Sequence, residues 1–262
     1  MTNLEGTDML VRQGVTALVA VAAAAGVSAP AAADNLGIAA GVALWNYEPD
    51  GHARQDGNGS FDLQNDLGLG TEWGGYAWIA VEHPVPVLPN IRVEYTRADT
   101  QGSGTVSQSF TIDGVTYAQG TDVSTKADLD QLDLVLYYEL LDNVVSLDLG
   151  LDIKYLYGHV RVRQDDTGES EKVSFRAPLP LLYAAARVDL PLPGMWVGGQ
   201  ASGLAYDDNR LVDLRATVGY DFVFGLGVQA GYRHQAIKLD DVNDLSADIS
   251  VAGPFVGVHA DF

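Results

Sequence analysis

The stretch VVSLDLGLDIKYLYG, residues 144–158, decides how the whole chain is read. Val145, Leu147, Leu149, Leu151, Ile153, Tyr155 and Tyr157 take every second position, and Ser146, Asp148, Gly150, Asp152, Lys154 and Leu156 stand between them. A repeat of two is the signature of an extended strand, whose successive side chains point to opposite faces. One face here suits hydrocarbon; the other carries two aspartates and a lysine. In a soluble sandwich the second face meets water, whereas in a membrane barrel it lines the lumen.

The same alternation recurs at 36–44, 75–81, 91–96, 131–140, 182–189, 195–201, 213–222, 228–233 and 255–262, which with 144–158 makes ten segments. They are close to the length of a transmembrane β-strand. The connections differ in length: 84–90, 141–143, 191–194 and 224–227 are short, while 47–70, 98–127 and 162–172 are long and polar, with shorter 206–210 and 240–244 on the same side. Short periplasmic turns and longer outer loops mark outer-membrane barrels. The expected fold is therefore all-β, a closed antiparallel transmembrane β-barrel of ten strands, with eight or twelve as the alternatives. Twelve would require the 98–127 segment to cross the membrane, but neither face of 105–112 is apolar enough. Asp113-Gly114 instead signals a type I′ hairpin, so 98–127 is read as an outer-surface hairpin extension. The apolar parity changes between Phe175/Ala177/Leu179 and Leu182/Ala184, next to Pro178 and Pro180, and a bulge is expected there.

The chain has 262 residues, 35 acids against 15 bases, a formal charge of −20 and no cysteine. Disulfides and thiolate metal sites are excluded, and a nucleic-acid partner is disfavoured because phosphate recognition needs a basic surface. Residues 15–27 are an apolar run too short to span a bilayer as a helix, and Ala31 and Ala33 fit small-x-small cleavage before Asp34. Residues 1–33 are thus expected to be a signal peptide, and 34–262 the barrel exported to the cell outer membrane. Glu5 and Asp8 are out of place in a signal; a start at Met9 gives the positive segment MLVRQ.

Three features favour the membrane arrangement over a soluble barrel. The signal is one. Tyr95, Tyr138, Tyr155, Tyr157, Tyr220, Phe222, Tyr232 and Phe262 lie on the apolar face, mostly near strand ends, as interfacial girdles do. Gly257, Ala260 and Phe262 have the spacing of a terminal signal read by the barrel-assembly machinery, although Phe255 stands where a polar residue is expected. Further, EHPVPVLPN (82–90), YYELLDN (137–143) and LGVQAGYRHQAIKLDDVNDL (226–245) resemble a family of small Gram-negative outer-membrane β-barrel proteins of unassigned function. That resemblance implies a barrel and its location, and carries over no catalytic residue.

In this arrangement the polar face enters the lumen. Glu82, Glu139, Asp189, Asp221 and Asp261 form an acidic rim at the periplasmic end. Deeper lie Arg92, Glu94, Asp133, Asp148, Asp152, Lys154, Arg187, Asp213, Arg215 and Arg233, equal in acids and bases. Charges withdrawn from water must be paired, so a lumen ion-pair network is expected. A lumen so filled suits a structural or surface-interaction protein. A narrow, weakly cation-selective channel is the alternative, and a surface hydrolase, either protease or lipid A acyl hydrolase, is the third reading. A hydrolase needs an activated nucleophile or water beside a base, and the histidines are His52, His83, His159, His234 and His259. DGNGSFDLQND (56–66) imitates a calcium loop at Asp56, Asn58, Ser60 and Asp62, but Phe61 replaces the required glycine and Leu67 the closing glutamate. No cofactor, metal site or catalytic set is expected. The expected partners are membrane lipid and lipopolysaccharide, with the assembly machinery during biogenesis.

Overall fold

The computed structural model describes residues 36–55, 59–85, 87–112, 114–242 and 245–262. The expected signal segment lies outside them. The strands, in chain order, are β1 (Gly37–Gln55), β2 (Ser60–Asp62), β3 (Glu72–Glu82), β4 (Asn90–Thr105), β5 (Phe110–Ile112), β6 (Val115–Tyr117), β7 (Asp122–Asp142), β8 (Val145–Gln164), β9 (Ser170–Asp189), β10 (Met195–Tyr206), β11 (Asn209–Asp221), β12 (Leu226–Val242) and β13 (Leu245–Asp261). Each long strand pairs antiparallel with the next, and β13 pairs with β1 from Ala39↔Asp261 to Gln55↔Leu245. Ten strands thereby close a transmembrane barrel with no free edge in its lower wall. Hydrocarbon demands this, because no water is there to satisfy an unpaired amide. The short β5–β6 hairpin forms its own two-stranded sheet outside the barrel wall.

Period two sets the two faces. On β8, Leu149, Leu151, Ile153 and Tyr155 are exposed on the outside, while Asp152, Lys154 and Leu156 are buried within. On β1, Leu44 faces outward at 60% exposure, whereas Trp45 and Tyr47 are buried. The outer surface is an apolar band, and Tyr138, Tyr220, Phe222 and Phe262 stand exposed near its short-turn edge.

Two expectations are corrected. Much of 47–70 and 162–172 is strand: β1, β8 and β9 have 19, 20 and 20 residues, and β4 and β7, with 16 and 21, run on into the 98–127 segment read as a hairpin extension. That exceeds the roughly 10 residues that cross a membrane, so these strands rise beyond the bilayer, where both faces tolerate polar residues and the alternation fades. The bulge expected at Pro178 and Pro180 is also absent. They pair with Tyr155 and Ile153 in unbroken register, and Phe175, Ala177 and Leu179 share the face of Leu181 and Tyr183. β10 pairs with β9 only up to Gly203↔Leu182, so both prolines lie where β9 is an edge. Proline is tolerated at such positions, having no ladder bond to lose.

At the long-loop end the projecting strands enclose a second apolar core. Leu63, Leu67, Leu69, Val106, Phe110, Tyr117, Val123 and Val162 are buried together there. Phe110 stacks on Tyr117 at 5.1 Å and tilts against Phe61 at 5.0 Å. Gly68, at φ +67°, and Gly102 allow the 63–69 segment to touch β4: a Cβ on Gly102 would lie 2.1 Å from the Gly68 carbonyl oxygen. Asp66 ties this cap together. Its Oδ1 accepts from the Ser107 N–H at 2.7 Å and its Oδ2 from the Asp62 N–H at 2.8 Å.

Burial acts to raise the Asp66 pKa, but the bonds from Ser107 and Asp62 outweigh it and hold the carboxyl below its ordinary 3.8. A depressed pKa means stability that is present above the unfolded value and is lost as pH falls through the folded one. The cap should therefore loosen in acid, below about pH 4. Hydrogen exchange of the Gln64–Gly68 and Ser107 amides should be faster in Asp66→Asn than in the wild type at pH 7, and the difference should vanish in acid. Equal protection at pH 7 would show that the carboxylate does not hold the cap.

Candidate functional site

Lumen-facing positions of six strands meet in the barrel centre. Arg233 (β12) donates from Nε and Nη2 to Asp213 (β11), at 3.0 and 2.7 Å, and from Nη1 to Thr96 Oγ1 (β4) at 2.9 Å. The same guanidinium lies 3.3 Å from Glu94 Oε1. Arg215 grips Glu94 with both terminal nitrogens, at 2.5 and 3.1 Å, and Arg92 reaches Glu94 Oε2 at 2.9 Å. Lys154 bridges Asp133 at 2.6 Å and Asp213 at 3.1 Å. Gln131 and Gln235 bond to each other, at 2.8 and 2.9 Å, and to the Lys154–Asp213 pair. Asp152 is buried beside Lys154 and Ser202, with its Oδ1 unpartnered in the protein.

Arg92, Lys154, Arg215 and Arg233 thus face Glu94, Asp133, Asp152 and Asp213. Taking ions from water is costly unless the geometry repays it. Paired guanidinium–carboxylate forks do so best, because two parallel N–H···O bonds fix both partners.

Two residues from the expected network sit elsewhere. Arg187 is at the short-turn end, bound to Asp189 at 3.0 Å and Asp221 at 2.6 Å. Asp148 stands opposite Glu139 and makes no ion pair among the described residues. The rim at that end is consequently not simply acidic. Asp221 also accepts from Trp196 Nε1 at 2.9 Å and contacts His259 Nε2 at 2.8 Å, and Tyr137 donates to Glu82 at 2.9 Å. Asp261, on the same rim, pairs across the seam with Ala39.

Counting charges alone missed the aromatic layer. Arg92 lies 4.0 Å over Trp78, Arg215 4.2 Å over Tyr76, Arg233 5.2 Å over Tyr76 and 5.3 Å over Trp45, and Arg187 4.4 Å over Trp196. A ring face attracts a desolvated cation and is apolar enough to exclude water. The parity of Tyr76 and Trp78, opposite Ala77 and Ile79, was the available signal.

The centre leaves a void of only about 10 Å³, lined by Arg92, Glu94, Lys154, Asp213, Arg233 and neighbours. That is about the volume one water centre occupies. Trp45, Tyr47, Tyr76 and Phe255 pack against this layer, and the Leu63–Val162 core fills the long-loop end. A larger concavity, about 470 Å³, lies on the lipid side between Leu147, Ala186, Ala201, Leu214 and Tyr232.

Gly257, Ala260 and Phe262 lie at the closing seam. Gly257 stands opposite Ala43, where a Cβ would come within 2.4 Å of the Val42 carbonyl oxygen, and Phe262 exchanges backbone bonds with Ile38 at 2.8 and 3.2 Å. The histidines are dispersed. His83 bonds to the Pro89 carbonyl at 3.1 Å, His52 stands opposite Asp248 and Asp62, and His234 lines the lipid-side concavity. His159 Nε2 lies 3.3 Å from Asp128 Oδ2 on the outward face, with Ser174 directly opposite His159 on β9. In the calcium-like segment, Asp56 and Asn58 lie outside the described residues. Asp62 Oδ1 is engaged by the amides of Gln64 and Asn65, at 3.0 and 2.8 Å. Among the described residues no group of three or more His, Asp or Glu is placed to hold a metal ion.

No family model matches the chain, and no curated protein matches it. Solved structures do. The outer membrane protease OmpT of Escherichia coli superposes with a TM-score of 0.55 at 11% identity, over 86% of this chain and 97% of that one. The translocator domain of the autotransporter NalP from Neisseria meningitidis gives 0.43 at 12%, over 98% of both chains. Neisserial surface protein A gives 0.29 at 14%, over 87% and 97%. The first likeness supports the fold, that of an outer-membrane β-barrel; the lower scores add no argument.

Truncating Arg233 leaves Asp213 and Glu94 short of a partner inside the barrel. Arg233→Ala should lower barrel stability by about 3–5 kcal/mol, read as the urea midpoint of the refolded protein by its gel mobility without boiling. Arg210→Ala, on the outside, should shift it little. Equal effects of the two would remove the network's structural role.

Proposed function

We propose that this chain is an integral protein of the cell outer membrane, exported by its N-terminal segment, with a structural or surface-interaction role and a lumen that the ion-pair network closes. The observation that carries this reading is the void of about 10 Å³ at the barrel centre. Porin channels are built from sixteen or more strands, whereas small barrels are filled by their own side chains. The long strands and the apolar cap then stand on the outer surface, and the short turns face the periplasm, as is the rule for such barrels. Gly257, Ala260 and Phe262, at the seam where the last strand meets the first, serve as the signal for assembly. Reconstituted in planar bilayers, the purified barrel should show no steady, resolvable conductance steps. Regular single-channel steps, abolished by boiling the protein beforehand, would instead establish the weakly cation-selective channel.

The Asp128–His159 pair favours a second reading, a surface hydrolase. Asp128, His159 and Ser174 are in direct register across β7, β8 and β9 on the outward face. An acid, a base and a hydroxyl in that order are the parts of a nucleophilic site, provided that base and hydroxyl come within hydrogen-bond reach. The purified protein should then release fatty acid from an acylated glycolipid, and Ser174→Ala and His159→Ala should each lower the rate by at least ~10²-fold. Absence of wild-type activity, or full activity in S174A, rejects this reading.

A further inference from the structure

We propose that the outward face of β4, β7, β8 and β9, just above the apolar band, binds the phosphate groups of an outer-leaflet lipopolysaccharide. This rests on the outer-membrane reading above. It deepens that reading by assigning the partner to a particular surface.

The argument begins with register. Lys126 on β7 stands opposite Arg161 on β8, and Arg161 stands opposite Lys172 on β9. Three cations therefore form one row across three adjacent strands, which run about 4.8 Å apart. Like charges directly opposite destabilise a sheet. Arg163 lies one step above this row and Arg176 two steps below it, on the same face. All five side chains are exposed, and none forms an ion pair among the described residues. The opposite face of these strands holds the buried Val123, Thr125, Val162 and Gln164, so the five bases have only the exterior to turn to.

The carboxylates on or beside this face lie above or below the triple row and form no ion pair with the five bases among the described residues. Asp128 faces His159 at 3.3 Å, Asp99 is held by Arg97, Asp130 accepts from the Tyr95 hydroxyl at 2.8 Å, and Asp165 accepts from Ser124 Oγ at 2.7 Å. The row itself, from Gln101 through Lys126 and Arg161 to Lys172, contains no carboxylate, which makes it a local cluster of positive charge in a chain of net charge −20. An external anion relieves the repulsion within it.

The rows below identify the anion. Arg176 pairs with Tyr157, and the next row down is Leu132–Tyr155–Pro178, followed by Leu134–Ile153–Pro180. Leu132, Leu134 and Ile153 are exposed to the membrane. A ligand with acyl chains against these rows carries its headgroup upward past Arg176 to Lys126, Arg161 and Lys172. Arg176 and the triple row are two steps apart, roughly 13 Å along the strand. A phospholipid headgroup is too short for that span, whereas a phosphorylated saccharide on acyl chains reaches it. Arginine and lysine are the side chains suited to phosphate oxygens.

The test uses the full chain folded in uncharged detergent, with purified phosphorylated lipopolysaccharide as the probe and native mass spectrometry or thermophoresis as the readout. Each base at an anionic lipid surface contributes enough that Lys126→Ala/Arg161→Ala/Lys172→Ala should weaken binding on the order of a hundredfold. The triple Arg54→Ala/Arg210→Ala/Lys238→Ala removes the same charge from other strands and should change it less than about threefold. Enzymatic dephosphorylation of the lipopolysaccharide should weaken wild-type binding as much as the first triple does. Gel mobility without boiling confirms that each variant is folded; Arg161→Ala alone, at the centre of the row, serves if the triple is not. The proposal is overturned if both triples weaken binding equally, if dephosphorylation has no effect, or if phosphatidylglycerol binds as tightly. Binding in detergent does not depend on how the barrel sits in a membrane, so failure here leaves the outer-membrane reading untouched.

Discussion

The need to satisfy every backbone N–H and C=O inside hydrocarbon governs this structure. It requires that β1 meet β13, and that closure makes a ring of ten strands. The circumference then follows, since strands stand at a nearly constant spacing. With it follows a lumen narrow enough for side chains from opposite walls to touch. Glu94 on β4 can be held by Arg215 on β11, 121 residues away, only because closure brings those walls together. The ion pairs are therefore a consequence of the hydrogen-bond constraint and not a cause of the barrel.

A lumen of charge is an expensive way to fill a barrel, since well-packed apolar residues often do as well or better. The two faces of the strand explain the choice. A strand with apolar residues on both faces carries no information about which face meets lipid, and a slip of one residue would cost little. With Asp152 and Lys154 on one face and Leu151 and Ile153 on the other, a one-residue slip would put two charges into hydrocarbon. The stretch 144–158 thus encodes orientation and register together. The arginines add a second requirement: each of the four is placed against both a carboxylate and a ring. Neither partner alone both neutralises the guanidinium and excludes water from it.

The barrel, its strand count and the identity of the inward face were legible in the sequence because period two is strong where one face must meet lipid. Legibility failed where that demand lapses. Above the bilayer β1 runs on to Gln55 and β8 to Gln164, yet their residues there read as polar loops. In the lumen, alternation told which residues point inward but not at what height. Arg187 and Asp148 were consequently grouped with a network that lies beyond their reach, because strand tilt and stagger decide height and leave no mark on local sequence. The exterior basic row escaped notice for the same reason. Lys126, Arg161 and Lys172 are scattered over 46 positions and become neighbours only through pairing register.

The wall itself is uneven at the long-loop end. β10 and β11 turn back at Tyr206 and Asn209, whereas β9 on one side and β12 on the other continue. β9 is left as an edge from Ser170 to Leu181, and an exposed edge invites pairing with another chain. Pro178 and Pro180 fall within that edge, at neighbouring positions of one face. A proline offers no N–H and so interrupts the ladder an incoming strand would need. Their place in the sequence suggests a broken strand; in the structure the strand is intact, and what the prolines break is its capacity to recruit another. The notch they guard reaches down to the apolar rows Leu132–Tyr155–Pro178 and Leu134–Ile153–Pro180, and at those two positions proline leaves no N–H to go unpaired. Closure thus holds along most of the wall, and where β10 falls short of β9 the chain defends the open edge by composition.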